Sequence, residues 1–132
     1  MIFVDTSFWA GLQDPGDDRH RAATDAFRAI GDHELITTNL VRGETWTLLR
    51  AKAGHQAAVR FLDRIERSPR LSVVPAREDL EREALAWLRR HDERPYSFVD
   101  ATSFAVMRDR HIRQALAFDD DFIAAGFTLF EA

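Results

Sequence analysis

The chain has 132 residues, of which 45% are hydrophobic and 30% charged, and this composition excludes a disordered protein. The absence of cysteine excludes a disulfide framework and zinc sites built from cysteine. The net charge of −4 gives no basic excess for nucleic-acid binding, although the basic residues are almost all arginine, which suits phosphate contacts. We find no basic leader and no apolar run of membrane-spanning length, so we expect one domain, residues 1–132, in the cytoplasm.

Short apolar runs alternate with helical patterns along the chain. The first predicted strand is Ile2–Val4, and it ends at Asp5-Thr6-Ser7, which are good helix-capping residues. A turn at residues 14–18 leads into a predicted helix that stops at Gly31. Further strands are predicted at residues 35–37, 71–74, 115–118 and 127–130, and further helices from residue 38 or 39, around 58–65, 80–91 and 98–107, and after 119. This alternation predicts an α/β domain with a mainly parallel sheet.

Four acids fall where such a sheet would gather them. Asp5 and Asp119 each follow directly on a predicted strand, and the carboxyl ends of parallel strands share one edge. Glu44 and Asp100 lie near the starts of predicted helices that follow loops. Each acid also has an explanation that needs no shared site. Asp5 and Asp119 could each cap a helix, Asp100 could form a capping box with Ser97, and Glu44 could pair with an arginine.

Two of these acids lie in strongly apolar surroundings. Glu44 shares a predicted apolar face with Val41 and Leu48, where an unpaired carboxylate would be unfavourable, and no arginine lies three or four residues from it. The helix around Asp100 is apolar over most of its girth, so we expect it to be central. One divalent cation would account for all four acids, and carboxylate oxygens favour Mg²⁺ or Mn²⁺. No two of the five histidines have metal-ligand spacing, which disfavours zinc.

The chain resembles the PIN-domain ribonucleases, specifically the VapC-type toxins of type II toxin–antitoxin systems, in the segments MIFVDTSFW, ETWTLL, YSFVDATSFAVM and LAFDDDFIAAGF. The resemblance covers essentially the whole chain and implies a PIN-like three-layer sandwich, a central and mainly parallel sheet flanked by helices. It implies an endoribonuclease that depends on Mg²⁺ or Mn²⁺ and cleaves structured tRNA or rRNA to inhibit translation. It also implies a cognate VapB-type antitoxin and a homodimer.

The resemblance also implies the site residues. Its catalytic acids map onto Asp5, Glu44, Asp100 and Asp119. The three aspartates would hold the metal ion, and Glu44 would complete the set or accept the proton of the attacking water, leaving a 5′-phosphate and a 3′-hydroxyl. Ser7 and Asp121 would contact these acids, rather than the metal ion itself, and hold them in position.

Three consecutive aspartates leave the register of the last ligand open. We prefer Asp119 because it follows the strand directly, with Asp121 as the alternative, and we expect Asp120 to face away. Residues that bind the substrate are not identified by the resemblance. Candidates for phosphate contacts, near the acids in sequence, are Arg42, Arg108 and Arg110; candidates for an antitoxin groove, unless they belong to the core, are Trp9, Trp46 and Phe61.

Other classes of protein fit the sequence less well. A receiver-type phospho-acceptor domain needs a lysine near its last strands, and the sole lysine is Lys52. A calcium-binding module needs the alternating D-x-D-x-D-G loop, which residues 119–121 lack. A catalytically silent PIN-like module that binds RNA or protein is the main alternative, and RNA cleavage separates it from a nuclease.

Overall fold

The computed structural model describes residues 1–131, which contain a parallel sheet of five strands. The strands are β1 (Ile2–Val4), β2 (Leu35–Thr38), β3 (Leu71–Val74), β4 (Gln114–Leu116) and β5 (Thr128–Leu129). Their order is β3-β2-β1-β4-β5, and every neighbouring pair is parallel. The strand order therefore changes direction between β1 and β4. In open α/β sheets, ligands bind beyond the carboxyl ends of the strands at such a switch point.

Helices cover the sheet. They are α1 (Thr6–Gln13), α2 (His20–Ala29), α3 (Asn39–Lys52), α4 (His55–Arg67), α5 (Glu78–Arg90), α6 (Phe98–Asp109) and α7 (Asp121–Ala124). Helix α1 packs against α2, α3 and α4, whereas α5 packs against α6, which also contacts α3 and α7. Right-handed crossovers place α1 to α4 on one face of this strand order and α5 to α7 on the other. The predicted α/β sandwich is confirmed.

The core includes the whole of β1 and most of α6. Ile2, Phe3 and Val4 are fully buried, as the uninterrupted apolar run predicts for a strand covered on both faces. Trp9 and Phe61 are also buried and meet edge to face with 5.7 Å between their ring centroids. Of the candidates for a partner groove, these two therefore belong to the core, whereas Trp46 is half-buried.

Strand β4 ends at Leu116, two residues earlier than predicted. The carbonyl oxygen of Leu116 accepts a hydrogen bond from the Asp5 N–H at 3.0 Å. Two residues later, the Phe118 N–H donates to the Ser7 side chain, at 3.0 Å, rather than to a neighbouring strand. The strand thus gives way to side-chain contacts where the predicted acids begin. Within residues 1–131, no helix is long and apolar enough to cross a membrane.

Candidate active site

Asp5 lies at the switch point, directly after β1, and is only 3% exposed. It is the N-cap of α1, because its carboxylate accepts from the Ser7 N–H at 3.2 Å and from the Ser7 hydroxyl at 2.8 Å. The same hydroxyl oxygen accepts from the Phe118 N–H. Ser7 therefore ties the Asp5 carboxylate to the end of β4, and both the donor and an acceptor position of its hydroxyl are in use.

Asp119 follows β4 in the chain and lies beside Asp5. Its carboxylate accepts from the Asp121 N–H at 3.1 Å, which holds the acid in the turn before α7. Its side chain is close enough to Asp5 for the two carboxyls to hydrogen-bond when one of them carries a proton. Asp120 is exposed, in line with the prediction that it faces away.

Asp100 lies in the first turn of α6. The predicted capping box is present: the Ser97 N–H donates to Asp100 Oδ2 at 3.0 Å, and the Asp100 N–H donates to Ser97 Oγ at 2.9 Å. Oδ1 takes no part in this capping box. Asp100 therefore caps the helix and is also one of the acids of the candidate site.

The pKa values show that the three aspartates share one electrostatic environment. Burial and the negative charges of Asp119 and Asp100 together raise the pKa of Asp5 to about 7, against the hydrogen bonds from Ser7, which lower it. Burial raises the pKa of Asp100 to about 6, with the charges of Asp119 and Asp121 acting in the same direction. Burial and the charge of Asp121 also raise the pKa of Asp119. These groups resist ionisation together unless a cation joins them.

Glu44 does not fit the prediction made for it. The buried residues of α3 are Val41, Thr45 and Leu49, whereas Glu44 is exposed. The prediction extended the apolar face to Glu44 through Leu48, but the buried face runs through Val41, Thr45 and Leu49, and Leu48 is only half-buried. The argument from an unfavourable buried carboxylate is therefore wrong for Glu44, and any role it has is exercised from the solvent side.

Two arginines that the sequence did not single out lie beside the acids. Arg94 Nε donates to Asp121 Oδ1 at 2.8 Å, and the positive charge of Arg19 lowers the pKa of Asp119. The predicted candidates Arg108 and Arg110 lie at the other end of α6 from Asp100, and Arg108 pairs with Glu83. Contacts over such separations leave no periodic or local signal in a sequence.

The donor chemistry of the site suits a hard divalent cation. Asp5, Asp100 and Asp119 form no ion pair with lysine, arginine or histidine in the described part of the chain, so no cationic side chain neutralises them by direct contact. Across residues 1–131, no three His, Asp or Glu side chains are already positioned to enclose a metal ion. The carboxylates present fit Mg²⁺ or Mn²⁺ in chemistry and charge.

Known proteins resemble this chain closely. The PIN domain family matches residues 2–128. Proteins of two Mycobacterium tuberculosis strains, CDC 1551 / Oshkosh and ATCC 25618 / H37Rv, are each 55% identical over 127 residues, covering 96% of this chain and 95% of their own; both are named 23S rRNA-specific endonuclease VapC20. The crystal structure of Mycobacterium tuberculosis VapC20, described as a Sarcin-Ricin loop cleaving toxin, has a TM-score of 0.91 at 53% identity and covers 96% of each chain.

A more distant structure, FitAcB from Neisseria gonorrhoeae, has a TM-score of 0.71 at 14% identity over 99% of this chain and 97% of its own, which supports the fold alone. The chain belongs to the PIN-domain family, as the resemblance in sequence predicted. PIN domains are nucleases, as the names of these relatives state for their own proteins, and membership of this family excludes the receiver-domain alternative.

Proposed function

We propose that this chain is an endoribonuclease toxin that cleaves the sarcin–ricin loop of 23S rRNA and thereby inhibits translation. The observation that carries the proposal is the buried and uncompensated carboxylate of Asp5, beside Asp100 and Asp119, at the switch point of the sheet. The choice of substrate rests on the 55% identity with the proteins named 23S rRNA-specific endonucleases. This identity narrows the predicted substrate from either tRNA or rRNA to rRNA alone.

We propose that Asp5, Asp100 and Asp119 hold Mg²⁺, with Mn²⁺ as the alternative ion. When bound, such a cation supplies positive charge to the scissile phosphate and makes water more acidic. The hydrogen bonds from Ser7 fix the orientation of the Asp5 carboxylate, and the Asp121 N–H fixes that of Asp119. Hydrolysis by water leaves a 5′-phosphate and a 3′-hydroxyl.

Glu44 is proposed as the fourth acid, acting from the solvent side. Helix α3 begins directly after β2, next to β1, so its first turns lie at the same edge of the sheet as Asp5. Side chains on a helix lean towards its N-terminus, which directs the Glu44 carboxylate back to that edge. From there it would accept the proton of the attacking water.

The assembly is proposed from the family resemblance. We propose that residues 1–132 form one PIN domain, which acts as a homodimer in the cytoplasm and is neutralised by a cognate VapB-type antitoxin. The single sheet and the one core cluster over the described residues support a single domain. Co-expression with the protein encoded next to this chain, followed by copurification, tests the antitoxin.

The decisive experiment is cleavage of a synthetic hairpin with the sarcin–ricin sequence. We expect cleavage with Mg²⁺, none in EDTA, and none of a hairpin whose loop sequence is scrambled. A single 2′-deoxynucleotide at the cut should leave cleavage intact, because water rather than the 2′-hydroxyl attacks. Cleavage in EDTA, or products that end in a 2′,3′-cyclic phosphate, would overturn the mechanism. Binding of the hairpin without any cleavage would favour the catalytically silent module.

A further inference from the structure

The candidate site gathers several acids on a chain of net charge −4, yet it has to accept a polyanion. Phosphate contacts provide much of the affinity of RNA-binding proteins, so cations have to lie beside the acids. We propose that Arg19 and Arg94 form a two-point clamp that binds the RNA phosphates on either side of the scissile one. This inference rests on the proposed function, because it assigns the substrate contacts of the same site.

Arg94 is held beside the acids by a single hydrogen bond. Its Nε donates to Asp121 Oδ1 at 2.8 Å, while the side chain remains 38% exposed and that of Asp121 only 20%. A guanidinium group has five N–H donors in a fixed fork, so pairing through Nε leaves the terminal N–H groups to donate to another partner. The terminal N–H groups of Arg94 can therefore form a bidentate contact with a phosphate while Nε stays paired with Asp121.

The segment that carries Arg94 is anchored in the core. Tyr96 packs edge to face on Trp87, with 4.7 Å between the ring centroids, and on Phe104, at 5.9 Å. The Tyr96 N–H donates to the Arg94 carbonyl oxygen at 2.9 Å, which tightens the turn between them. Arg94 thus projects from a short rigid connection rather than from a free loop, and a fixed donor loses less entropy when it binds.

Arg19 lies beside the first residues of the Asp119-Asp120-Asp121 turn, whereas Arg94 pairs with its last residue. Its guanidinium carbon is 5.5 Å from the centre of the Phe118 ring, and Phe118 immediately precedes Asp119. The Phe118 ring stacks on Phe8, with centroids 5.6 Å apart. A Cβ atom on Gly11 would come within 3.2 Å of Phe118 and 3.5 Å of the Arg19 Cβ, so the glycine gives both residues room.

Other arginines with described contacts bind residues that lie away from the aspartates. Arg64 donates to Gln13 at 3.1 Å and lies over the Phe27 ring, at the far end of α1 from Asp5. Arg108 pairs with Glu83 and lies over Trp87. Arg19 and Arg94, by contrast, each contact a residue next to or within the run of aspartates, one at Phe118 and the other at Asp121.

The test compares R19Q and R94Q with R21Q and R90Q, which remove the same charge from exposed positions close in sequence. Cleavage of the hairpin is measured as kcat and KM over a range of salt concentrations, and binding is measured by anisotropy in EDTA. We expect each clamp variant to raise KM about five- to ten-fold with kcat nearly unchanged. Each should reduce the slope of log(kcat/KM) against log[salt] by about 0.7 to 0.9, the effect of one lost phosphate contact.

R94K separates a phosphate contact from support of Asp121. Lysine keeps the charge but lacks the fork, so we expect R94K to retain the salt slope of the unsubstituted protein while its KM rises less than that of R94Q. A fall in kcat with KM and salt slope unchanged would overturn the clamp, as would clamp variants that match the two controls. Failure of the unsubstituted protein to cleave any RNA would instead overturn the proposed function, and anisotropy would still report whether the arginines bind RNA.

Discussion

The acids at the switch point and the acids on α5 are held in opposite ways. Asp79 and Glu83 are exposed and lie beside arginines, and the hydrogen bond from Arg77 lowers the pKa of Asp79. Asp5 is buried and has neighbouring carboxylates instead, so its pKa rises. The first arrangement is the ordinary way to place charge on a protein surface. The second destabilises the ionised form of the folded protein, and it is the arrangement that is enriched at functional sites.

The largest expected difference between the two regions is in catalysis. Asp5→Asn preserves the shape of the side chain and its role as N-cap but removes the charge, so we expect the cleavage rate to fall by about a thousand-fold or more. Asp100→Asn should act similarly. Glu83→Gln, the matched change on α5, should leave the rate unchanged. An Asp5→Asn protein with more than a tenth of the original rate would place the chemistry elsewhere.

The second difference is in the pH dependence of stability without metal. The pKa of Asp5 is about 7 in the folded protein against the ordinary 3.8, so the folded state keeps a proton that the unfolded chain releases. The free energy of unfolding should therefore fall as pH rises between these two values, by about 3 kcal/mol. Asp100, with a pKa of about 6, contributes in the same direction.

Urea titrations in EDTA across this pH range measure that fall. Mg²⁺ should restore stability at the alkaline end, because it binds the ionised carboxylates of the folded protein alone. Asp5→Asn should flatten the dependence and stabilise the metal-free protein at alkaline pH. Metal-free stability that rises with pH over the same interval would show that the acids are compensated by other groups.

The third difference concerns Ser7, for which α5 has no counterpart. Ser7→Ala removes a donor to Asp5 and leaves the Phe118 N–H without its acceptor, which should cost about 2 kcal/mol of stability. Because the hydrogen bond from the Ser7 hydroxyl lowers the pKa of Asp5, its loss should also move the rise of the pH–activity profile to higher pH, although the N–H of residue 7 still donates to Asp5. Ser72→Ala, at an exposed position of β3, is the control. An unchanged pH profile in Ser7→Ala would mean that the hydroxyl serves stability alone.

The sequence predicted what depends on local order. An apolar strand followed by an acid placed Asp5 and Asp119 at the correct edge, and the spacing of Ser97 and Asp100 predicted the capping box that the structure contains. Helical periodicity failed for Glu44, because an apolar stripe with a half-buried Leu48 does not define where the buried face ends.

Contacts between distant segments had no signal at all. The Ser7 hydroxyl meets the Phe118 N–H 111 residues away, and Arg94 reaches Asp121 over 27 residues. Such pairs depend on the strand order, in which β1 and β4 become neighbours although most of the chain lies between them. The acids and, through the family resemblance, the supporting residues Ser7 and Asp121 could be listed from the sequence. The contacts that these residues make, and the neighbouring arginines, required the fold.

The smallest expected effect is that of the α5 ion pairs themselves. Arg108 and Glu83 are 3.4 Å apart, with side chains 34% and 47% exposed, so solvent and salt screen their attraction. A double-mutant cycle with Glu83→Gln and Arg108→Gln, followed by urea denaturation, should give a coupling energy below about 0.5 kcal/mol that vanishes at high salt. A coupling of several kcal/mol would mean that arginine pairing is a strong stabiliser in this protein.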